Sequence, residues 1–333
     1  MNPESNKQFT PSTAPHGALS FKPFLQLSFT SLIIIVLGLL FIVGSYIALT
    51  SPTRVIFPPF VQKEETKNNP FSQITLSARA AYVWDIKNQV VLFENNADQE
   101  LPLASLTKVM TAVTALDLLP DYTIITINGE DLQEEGDSGL YGNERWRLED
   151  LLDYSLVVSS NDGTRAIAGV AGSIIATSSS DARKEDEFIK KMNEKAGELG
   201  LFHTRFFKAI GLDINGEIAL AHGSARDVAV LFEYILKKYP EIIDGTRKEK
   251  ISVTSLSNIT HEGVNTNTKI ADIPGILGSK TGFTDLSGGN LVVAYNPSLN
   301  RPIIISVLGS TYDVSFEDVL ALIAAVNEYF STE

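Results

Sequence analysis

The 333-residue chain contains no cysteine. This absence excludes disulfides, thiolate metal sites and cysteine nucleophiles, but it does not identify the compartment, because exported proteins can also lack cysteine. Histidine is scarce: the four residues are His16, His203, His222 and His261, and their spacing is not that of metal ligands. His261 precedes Glu262 without the second histidine of His-Glu-x-x-His, so a zinc peptidase is disfavoured.

Basic residues are fewer than acidic residues. Lysine and arginine total 27 against 40 aspartate and glutamate residues, which gives a formal net charge of -13. A nucleic-acid partner is disfavoured because no basic surplus exists to neutralise phosphates. With 44% hydrophobic and 20% charged residues, the composition is that of a folded protein, and the length allows one large domain or two ordinary ones.

The first 75 residues contain one long apolar segment. Residues 1–24 are polar and predict a tail, whereas 32–49 carry no charge. As a helix within 25–50, this run spans roughly 30 Å, the thickness of a bilayer core. We expect an uncleaved transmembrane anchor, with a cleaved signal peptide as the alternative. Residues 51–75, which contain four prolines, predict a linker.

The remaining residues, 76–333, are predicted to form one folded domain. Apolar patterning predicts strands at both of its ends and helices between them, which indicates an α/β (α+β) domain with one sheet formed from both ends of the chain. The predicted strands are 80–85, 89–94, 276–282, 290–295 and 302–308. The predicted helices are 148–158, 164–175, 187–199, 225–238 and 316–330, and 178–187 is predicted to be an exposed loop.

Residues 101–116 predict a helix that begins with a reactive pair. Ser105 and Lys108 lie three residues apart, and residues at that spacing share a helix face. A serine hydroxyl becomes a good nucleophile when a neighbouring base removes its proton, and a lysine of lowered pKa can be that base. Taken alone, the pair also fits a helix cap followed by a solvated lysine.

Two further motifs follow the pair in sequence. Ser159-Ser160-Asn161 ends one predicted helix, and Lys280-Thr281-Gly282 ends a predicted strand. A second Ser-x-Asn match, at Ser298 to Asn300, lies between two prolines and is interpreted as a turn.

An acyl-transfer site needs this set of residue types. A hydroxyl nucleophile needs a base, Lys108, and a proton relay to the leaving amine, Ser159. An asparagine amide, Asn161, can both donate to and accept from a substrate amide. The substrate carboxylate needs a cation and a hydroxyl, for which Lys280 and Thr281 are candidates. Gly282 allows close backbone approach, and the N–H groups of Ser105 and Phe283 are candidates for an oxyanion hole.

In this order, the motifs resemble those of the serine D-Ala-D-Ala carboxypeptidases, the low-molecular-mass penicillin-binding proteins related to β-lactamases. The resemblance extends over about 76–329 and includes the residues that flank the motifs, at 81–85, 103–112, 142–144, 192–196, 224–227 and 265–267.

The resemblance implies an antiparallel sheet flanked by helices, with a helical subdomain and the site between them. It implies removal of the terminal D-Ala from peptidoglycan stem peptides through an acyl-enzyme on Ser105. Ser105, Lys108 and Ser159 would be catalytic, and Asn161, Lys280, Thr281, Gly282 and Phe283 would bind substrate. β-Lactams would acylate the same serine, with no metal or other cofactor. The domain is expected on the extracytoplasmic side of the cell membrane.

The chain departs from the family pattern at several points. Ser160 stands where glycine is common, Asp162-Gly163-Thr164 replaces Asp-Ala-Ala, and Phe283 replaces histidine or tyrosine. Residues 173–185 resemble an insertion, and the expected anchor is N-terminal. A β-lactamase, an endopeptidase that cuts cross-links and a catalytically weak penicillin-binding scaffold therefore remain open as alternatives.

Overall fold

The computed structural model describes residues 69–176 and 181–331. The predicted tail at 1–24, the predicted anchor at 25–50 and most of the predicted linker lie outside these residues. Within the described part of the chain, no helix is both long and apolar enough to cross a membrane.

The α-helices are α1 (Thr107–Leu118), α2 (Leu148–Val158), α3 (Asn161–Ile175), α4 (Asp181–Glu198), α5 (Ala225–Lys238) and α6 (Val314–Ser331). The strands are β1 (Ala80–Asp85), β2 (Val90–Asn95), β3 (Leu101–Pro102), β4 (Ile124–Thr126), β5 (Arg145–Arg147), β6 (Arg205–Phe206), β7 (Asp213–Ile214), β8 (Ile218–Ala219), β9 (Ala221–Gly223), β10 (Lys250–Thr254), β11 (Thr260–Val264), β12 (Ile276–Thr284), β13 (Gly288–Tyr295) and β14 (Ile303–Ser310). Short 3-10 helices lie at Pro70–Gln73, Ala104–Leu106, Asp131–Gln133, Pro240–Ile243, Gly245–Arg247 and Ile270–Asp272.

The main sheet joins the two ends of the domain, as the sequence predicted. Its strands are antiparallel in the order β12-β13-β14-β1-β2. Alternate side chains of a strand point to opposite faces. Tyr82 and Trp84 therefore pack on one face with the core that contains α1, whereas Ala81 and Val83 pack on the other face against α6. Burial of both faces explains why β1, β13 and β14 are largely apolar.

Helix α1 lies inside the helical region and is covered on all sides. Val109, Met110, Ala112 and Val113 are all buried, and α3, α4 and α5 pack around the helix. Thr107 and Thr111 are buried as well, so burial in this helix is not confined to one apolar face. The surrounding helices thus hold the residues that begin α1 in a fixed place beside the sheet.

Three local predictions are corrected by the structure. Helix α4 begins at Asp181, so the predicted loop at 181–187 is helical. Helix α3 begins at Asn161 rather than at Thr164, because the Ser160 hydroxyl caps it by accepting a hydrogen bond from the Gly163 N–H at 2.9 Å. Pro70–Gln73, within the predicted linker, form a 3-10 helix whose Phe71 is buried.

Candidate active site

Ser105 lies in the 3-10 turn Ala104–Leu106, directly before α1. The preceding residue, Ala104, has a φ of 49°, a value that residues with a Cβ rarely adopt. One turn later, Lys108 Nζ donates a hydrogen bond to Ser105 Oγ at 2.8 Å. The structure therefore brings together the hydroxyl and the amine that the sequence paired.

Lys108 is an unusually buried lysine, with 1% of its side chain surface exposed. Its second acceptor is the Ile210 carbonyl, at 2.9 Å from Nζ. Burial, and then the charge of Lys280, hold the pKa of Lys108 well below its ordinary value, while Glu134 acts in the opposite direction. A lowered pKa favours the neutral amine, which is the form of Lys108 that can accept the proton of Ser105.

Ser159 lies at the junction of two helices. It ends α2 in the left-handed conformation, with φ 61° and ψ 38°, and Ser160 then caps α3. Lys280 Nζ donates to Ser159 Oγ at 3.0 Å. Because that bond uses the oxygen as an acceptor, the hydroxyl proton of Ser159 is available for donation.

Strand β12 carries the third motif along the edge of the sheet. Lys280 is buried, and Nζ also donates to the Thr281 carbonyl at 2.9 Å. Burial lowers the pKa of Lys280 to about 7. The Thr281 hydroxyl donates to Thr266 Oγ1 at 2.6 Å, and it must rotate away from this partner to donate to a ligand. In the described part of the chain, β12 pairs with one strand. On its other edge the Ser279 N–H donates to Thr246 Oγ1 at 3.1 Å, and the edge from Lys280 onward has no partner among the described strands.

Gly282 is the point of contact between β12 and the nucleophile turn. A Cβ at this position would lie 2.8 Å from the Leu103 carbonyl oxygen and 3.2 Å from the Ser105 nitrogen. Only glycine permits this approach, which brings the backbone of Ser105 beside the strand. The next side chain, Phe283, is 46% exposed and packs edge-on against Tyr312, with 5.3 Å between ring centroids.

Comparison with known protein families shows which family the sequence matches. A family model described as D-alanyl-D-alanine carboxypeptidase matches residues 63–311. The chain belongs to this family. The relatives include D-alanyl-D-alanine carboxypeptidase DacF of Bacillus subtilis, 29% identical over 68% of this chain, and the D-alanyl-D-alanine endopeptidase of Escherichia coli, 29% identical over 79%. The alignments span 56% of the Bacillus protein, 66% of the E. coli carboxypeptidase DacC and 81% of the endopeptidase.

Solved structures confirm the predicted α+β DD-peptidase fold. The Streptomyces K15 DD-transpeptidase is similar with a TM-score of 0.67 at 21% identity, over 76% of this chain and 98% of that one. Penicillin-binding protein D2 from Listeria monocytogenes, in its ampicillin-bound form, is similar with a TM-score of 0.60 at 27% identity and the same coverage.

Asn161, the remaining member of the second motif, is held by a loop that the sequence did not single out. The Asn161 Nδ2 group donates to the Glu135 carbonyl at 2.6 Å. A carbonyl can only accept, so this bond fixes which way the amide points. Asn161 Oδ1 is buried and has no hydrogen-bond partner among the described residues. The oriented amide therefore offers an acceptor.

Salt bridges and hydrogen bonds connect this loop to α3 on both sides of Glu135. Arg165 pairs with Glu134 and lies 3.7 Å from Asp131. Ser138 Oγ donates to Asp162 Oδ2 at 2.9 Å and lies 2.7 Å from Ser160 Oγ. Ser160, one of the departures from the family pattern, thus forms part of the contact between this loop and α3.

A second segment that the sequence analysis missed, 209–211, contacts the turn that carries Ser105 and the start of α1. Thr111 Oγ1 donates to the Ala209 carbonyl at 2.6 Å, and the Ile210 carbonyl accepts from Lys108. Gly211 packs so closely that a Cβ would lie 2.1 Å from the Ala104 carbonyl oxygen. Every residue has a backbone carbonyl, so an acceptor of this kind cannot be predicted from residue type. Gly211 was the one feature of this segment that the sequence could have indicated.

Proposed function

We propose that the protein is a serine D-alanyl-D-alanine carboxypeptidase that removes the terminal D-Ala from peptidoglycan stem peptides. The observation that supports this most is the Ser105–Lys108 pair, in which a buried lysine of lowered pKa lies 2.8 Å from a partly exposed hydroxyl. Such a pair is an activated nucleophile without a metal or histidine.

In the first half of the reaction, Ser105 Oγ attacks the carbonyl carbon between the two D-alanines, and its proton passes to Lys108. The backbone N–H groups of Ser105 and Phe283 stabilise the oxyanion. The C–N bond then breaks, and the leaving amine takes a proton from Lys108 through the hydroxyl of Ser159. In the second half, water attacks the acyl ester, with Lys108 as base, and Ser105 regains its proton.

Binding of the substrate follows from the groups that surround this pair. Asn161 Oδ1 accepts an N–H from the substrate backbone, and the open edge of β12 pairs with the extended peptide. Lys280 and Thr281 bind the terminal carboxylate, which in turn raises the pKa of Lys280 and keeps it cationic. Gly282 keeps β12 so close to Ser105 that a peptide can bind along the strand while its carbonyl carbon lies beside Ser105 Oγ.

The test begins with covalent labelling. A fluorescent penicillin should label the wild-type protein, and Ser105→Ala should abolish the label while leaving the fold intact by circular dichroism. Persistent labelling of the alanine variant would refute the assignment of the nucleophile. A pentapeptide stem should then release D-Ala, and a C-terminally amidated analogue should be a poor substrate, because Lys280 and Thr281 lose their partner.

An endopeptidase that cuts cross-links is the second candidate, because the E. coli endopeptidase aligns over 81% of its length. Mass analysis of products from a pentapeptide stem and from a cross-linked dimer separates the two activities. Labelling without any product would identify a catalytically weak scaffold.

We also propose that residues 25–50 anchor the protein in the cell membrane, with the domain on the extracytoplasmic side. The uncharged run at 32–49 supports this proposal. The full-length protein should partition with membranes in its host. A mature N-terminus near residue 51 would instead identify a cleaved signal peptide.

A further inference from the structure

The segment 265–267, which follows β11, is held against β12 by its two asparagines. Asn265 Nδ2 donates to the Thr246 carbonyl at 2.9 Å, and its Oδ1 accepts from the Asn267 N–H at 2.9 Å. Asn267 Nδ2 donates to Ser279 Oγ at 3.1 Å. Both asparagines are buried, and each uses its amide as donor and as acceptor. The residue between them, Thr266, is therefore fixed beside the strand that carries the third motif.

Thr266 connects this strand with the end of α2. Its backbone N–H donates to the Val157 carbonyl at 3.2 Å, two residues before Ser159 in the sequence. Its Oγ1 accepts the proton of Thr281 at 2.6 Å. Unlike the asparagines on either side, Thr266 is partly exposed. Because Thr281 is assigned to the substrate carboxylate, the hydroxyl of Thr266 lies next to the place where that carboxylate binds.

The proton of the Thr266 hydroxyl has only a long contact in the described part of the chain. Its acceptor is the Val157 carbonyl at 3.5 Å, which already accepts the Thr266 N–H. Hydrogen bonds between a hydroxyl and an oxygen usually measure roughly 2.5–3.0 Å, so this contact is weak. A carboxylate beside Thr281 would be a better acceptor, because charged oxygens form shorter and stronger hydrogen bonds. The Thr266 proton is therefore available to a ligand.

The spacing of the two threonine hydroxyls suits a single carboxylate. Their oxygens lie 2.6 Å apart, so each can face one of the two carboxylate oxygens. Binding breaks the hydrogen bond between the hydroxyls, because Thr281 must turn its proton to the ligand. In exchange both hydroxyls gain a charged acceptor, and such bonds are stronger than the neutral bond that is lost. A C-terminal amide has no charge, so the same exchange stabilises its complex much less.

We propose that Thr266 is a specificity-determining residue whose hydroxyl donates to the terminal carboxylate of the substrate, beside Lys280 and Thr281. This inference rests on the proposed function and adds to it a residue outside the three motifs. The preference for a free carboxylate then has two sources, the charge of Lys280 and the hydrogen bonds from two hydroxyls. Substitution of Thr266 removes one of these hydrogen bonds and leaves the charge in place.

The experiment compares Nα,Nε-diacetyl-L-Lys-D-Ala-D-Ala, the diacetyl peptide, with its C-terminal amide. The quantity measured is the ratio of their kcat/KM values for cleavage of the last peptide bond. Thr266→Val, which keeps the shape but not the hydroxyl, should lower the acid-to-amide ratio about fivefold, mainly through the KM of the acid. Thr266→Ser should retain the wild-type ratio. A role confined to packing would slow both substrates equally, so an unchanged ratio in Thr266→Val would overturn the inference, as would an equal loss in Thr266→Ser.

Thr268→Val is the matched control. Thr268 lies two residues further along and is exposed, so the same substitution there should leave the ratio unchanged. The ratio does not depend on the fraction of folded protein, because both peptides are measured on one preparation. If Thr266→Val does not fold, Thr266→Ala removes the same hydroxyl with a smaller side chain and should give the same fivefold loss.

A second readout does not require peptide hydrolysis. The rates at which benzylpenicillin and its methyl ester acylate Ser105 compare a free carboxylate with an uncharged group at the same place. If neither the diacetyl peptide nor a cross-linked dimer is cleaved, the proposed peptidase function fails. A lower acid-to-ester ratio of acylation rates in Thr266→Val then still supports the role of Thr266, and an unchanged ratio refutes it.

Discussion

The packing of Gly211 against the nucleophile turn can be tested by adding one methyl group. In Gly211→Ala, the new Cβ would lie 2.1 Å from the Ala104 carbonyl oxygen and 2.6 Å from Thr107 Oγ1. Carbon and oxygen atoms do not approach this closely, so the 209–211 segment or the turn must move by about 1 Å. Because the Ala104 carbonyl is joined directly to the Ser105 nitrogen, either movement displaces the nucleophile relative to Lys108.

The expected cost has two parts. A Cβ at the φ of +80° costs about 1 to 2 kcal/mol, and overpacking a buried contact costs about 1 to 3 kcal/mol. Gly211→Ala should therefore lower the free energy of unfolding by about 2 to 5 kcal/mol. A misplacement of about 1 Å also slows catalysis by up to about 100-fold, so acylation should fall by one to two orders of magnitude.

Gly216→Ala provides the matched control. Gly216 has a φ of +69° in the β7–β8 hairpin that follows Gly211, and a Cβ there would meet no atom within 4 Å. Both variants place a Cβ at a positive φ and both remove a glycine from the unfolded chain. The difference between their free energies of unfolding therefore reports the close contact of residue 211 with Ala104 alone. The measurements are equilibrium denaturation and the second-order rate of labelling by fluorescent penicillin. Equal stability and equal labelling rates in the two variants would refute the packing argument.

The fold was largely predictable because its elements have strong local signals. The buried strands of the main sheet are continuous runs of apolar residues, and α2 matches its predicted bounds, Leu148–Val158. The start of α4 was misplaced because 181–187 is densely charged, a composition that suits both a loop and a solvated helix. The start of α3 depended on whether Ser160 capped a helix, which residue type alone leaves undecided.

The site was predictable where its chemistry depends on side chains and unpredictable where it depends on backbone. Ser105, Lys108 and Lys280 were recognisable because the proposed roles of nucleophile, base and carboxylate-binding cation each demand a residue type. The carbonyls of Glu135 and Ile210 orient Asn161 and Lys108, yet any residue supplies a carbonyl. The lowered pKa of Lys108 likewise results from burial, which only the assembled helices produce.

Two further predictions concern buried ionisable groups. Burial raises the pKa of Asp153 to about 6, so the carboxyl is favoured neutral in the fold, and stability should fall as pH rises from about 4 to 6. Asp153→Asn should then raise the free energy of unfolding at pH 7.5 by about 1 to 2 kcal/mol, but not at pH 4, by chemical denaturation. Lys280, with its pKa of about 7, binds a carboxylate below that pH and loses its charge above it. The KM for the diacetyl peptide should therefore rise between pH 6 and 9, with a smaller effect on kcat, because bound carboxylate stabilises the ammonium. Lys280→Arg should make the KM less dependent on pH, because a guanidinium stays charged. A KM of the wild-type protein that does not change with pH would contradict the role of Lys280 as the carboxylate-binding cation.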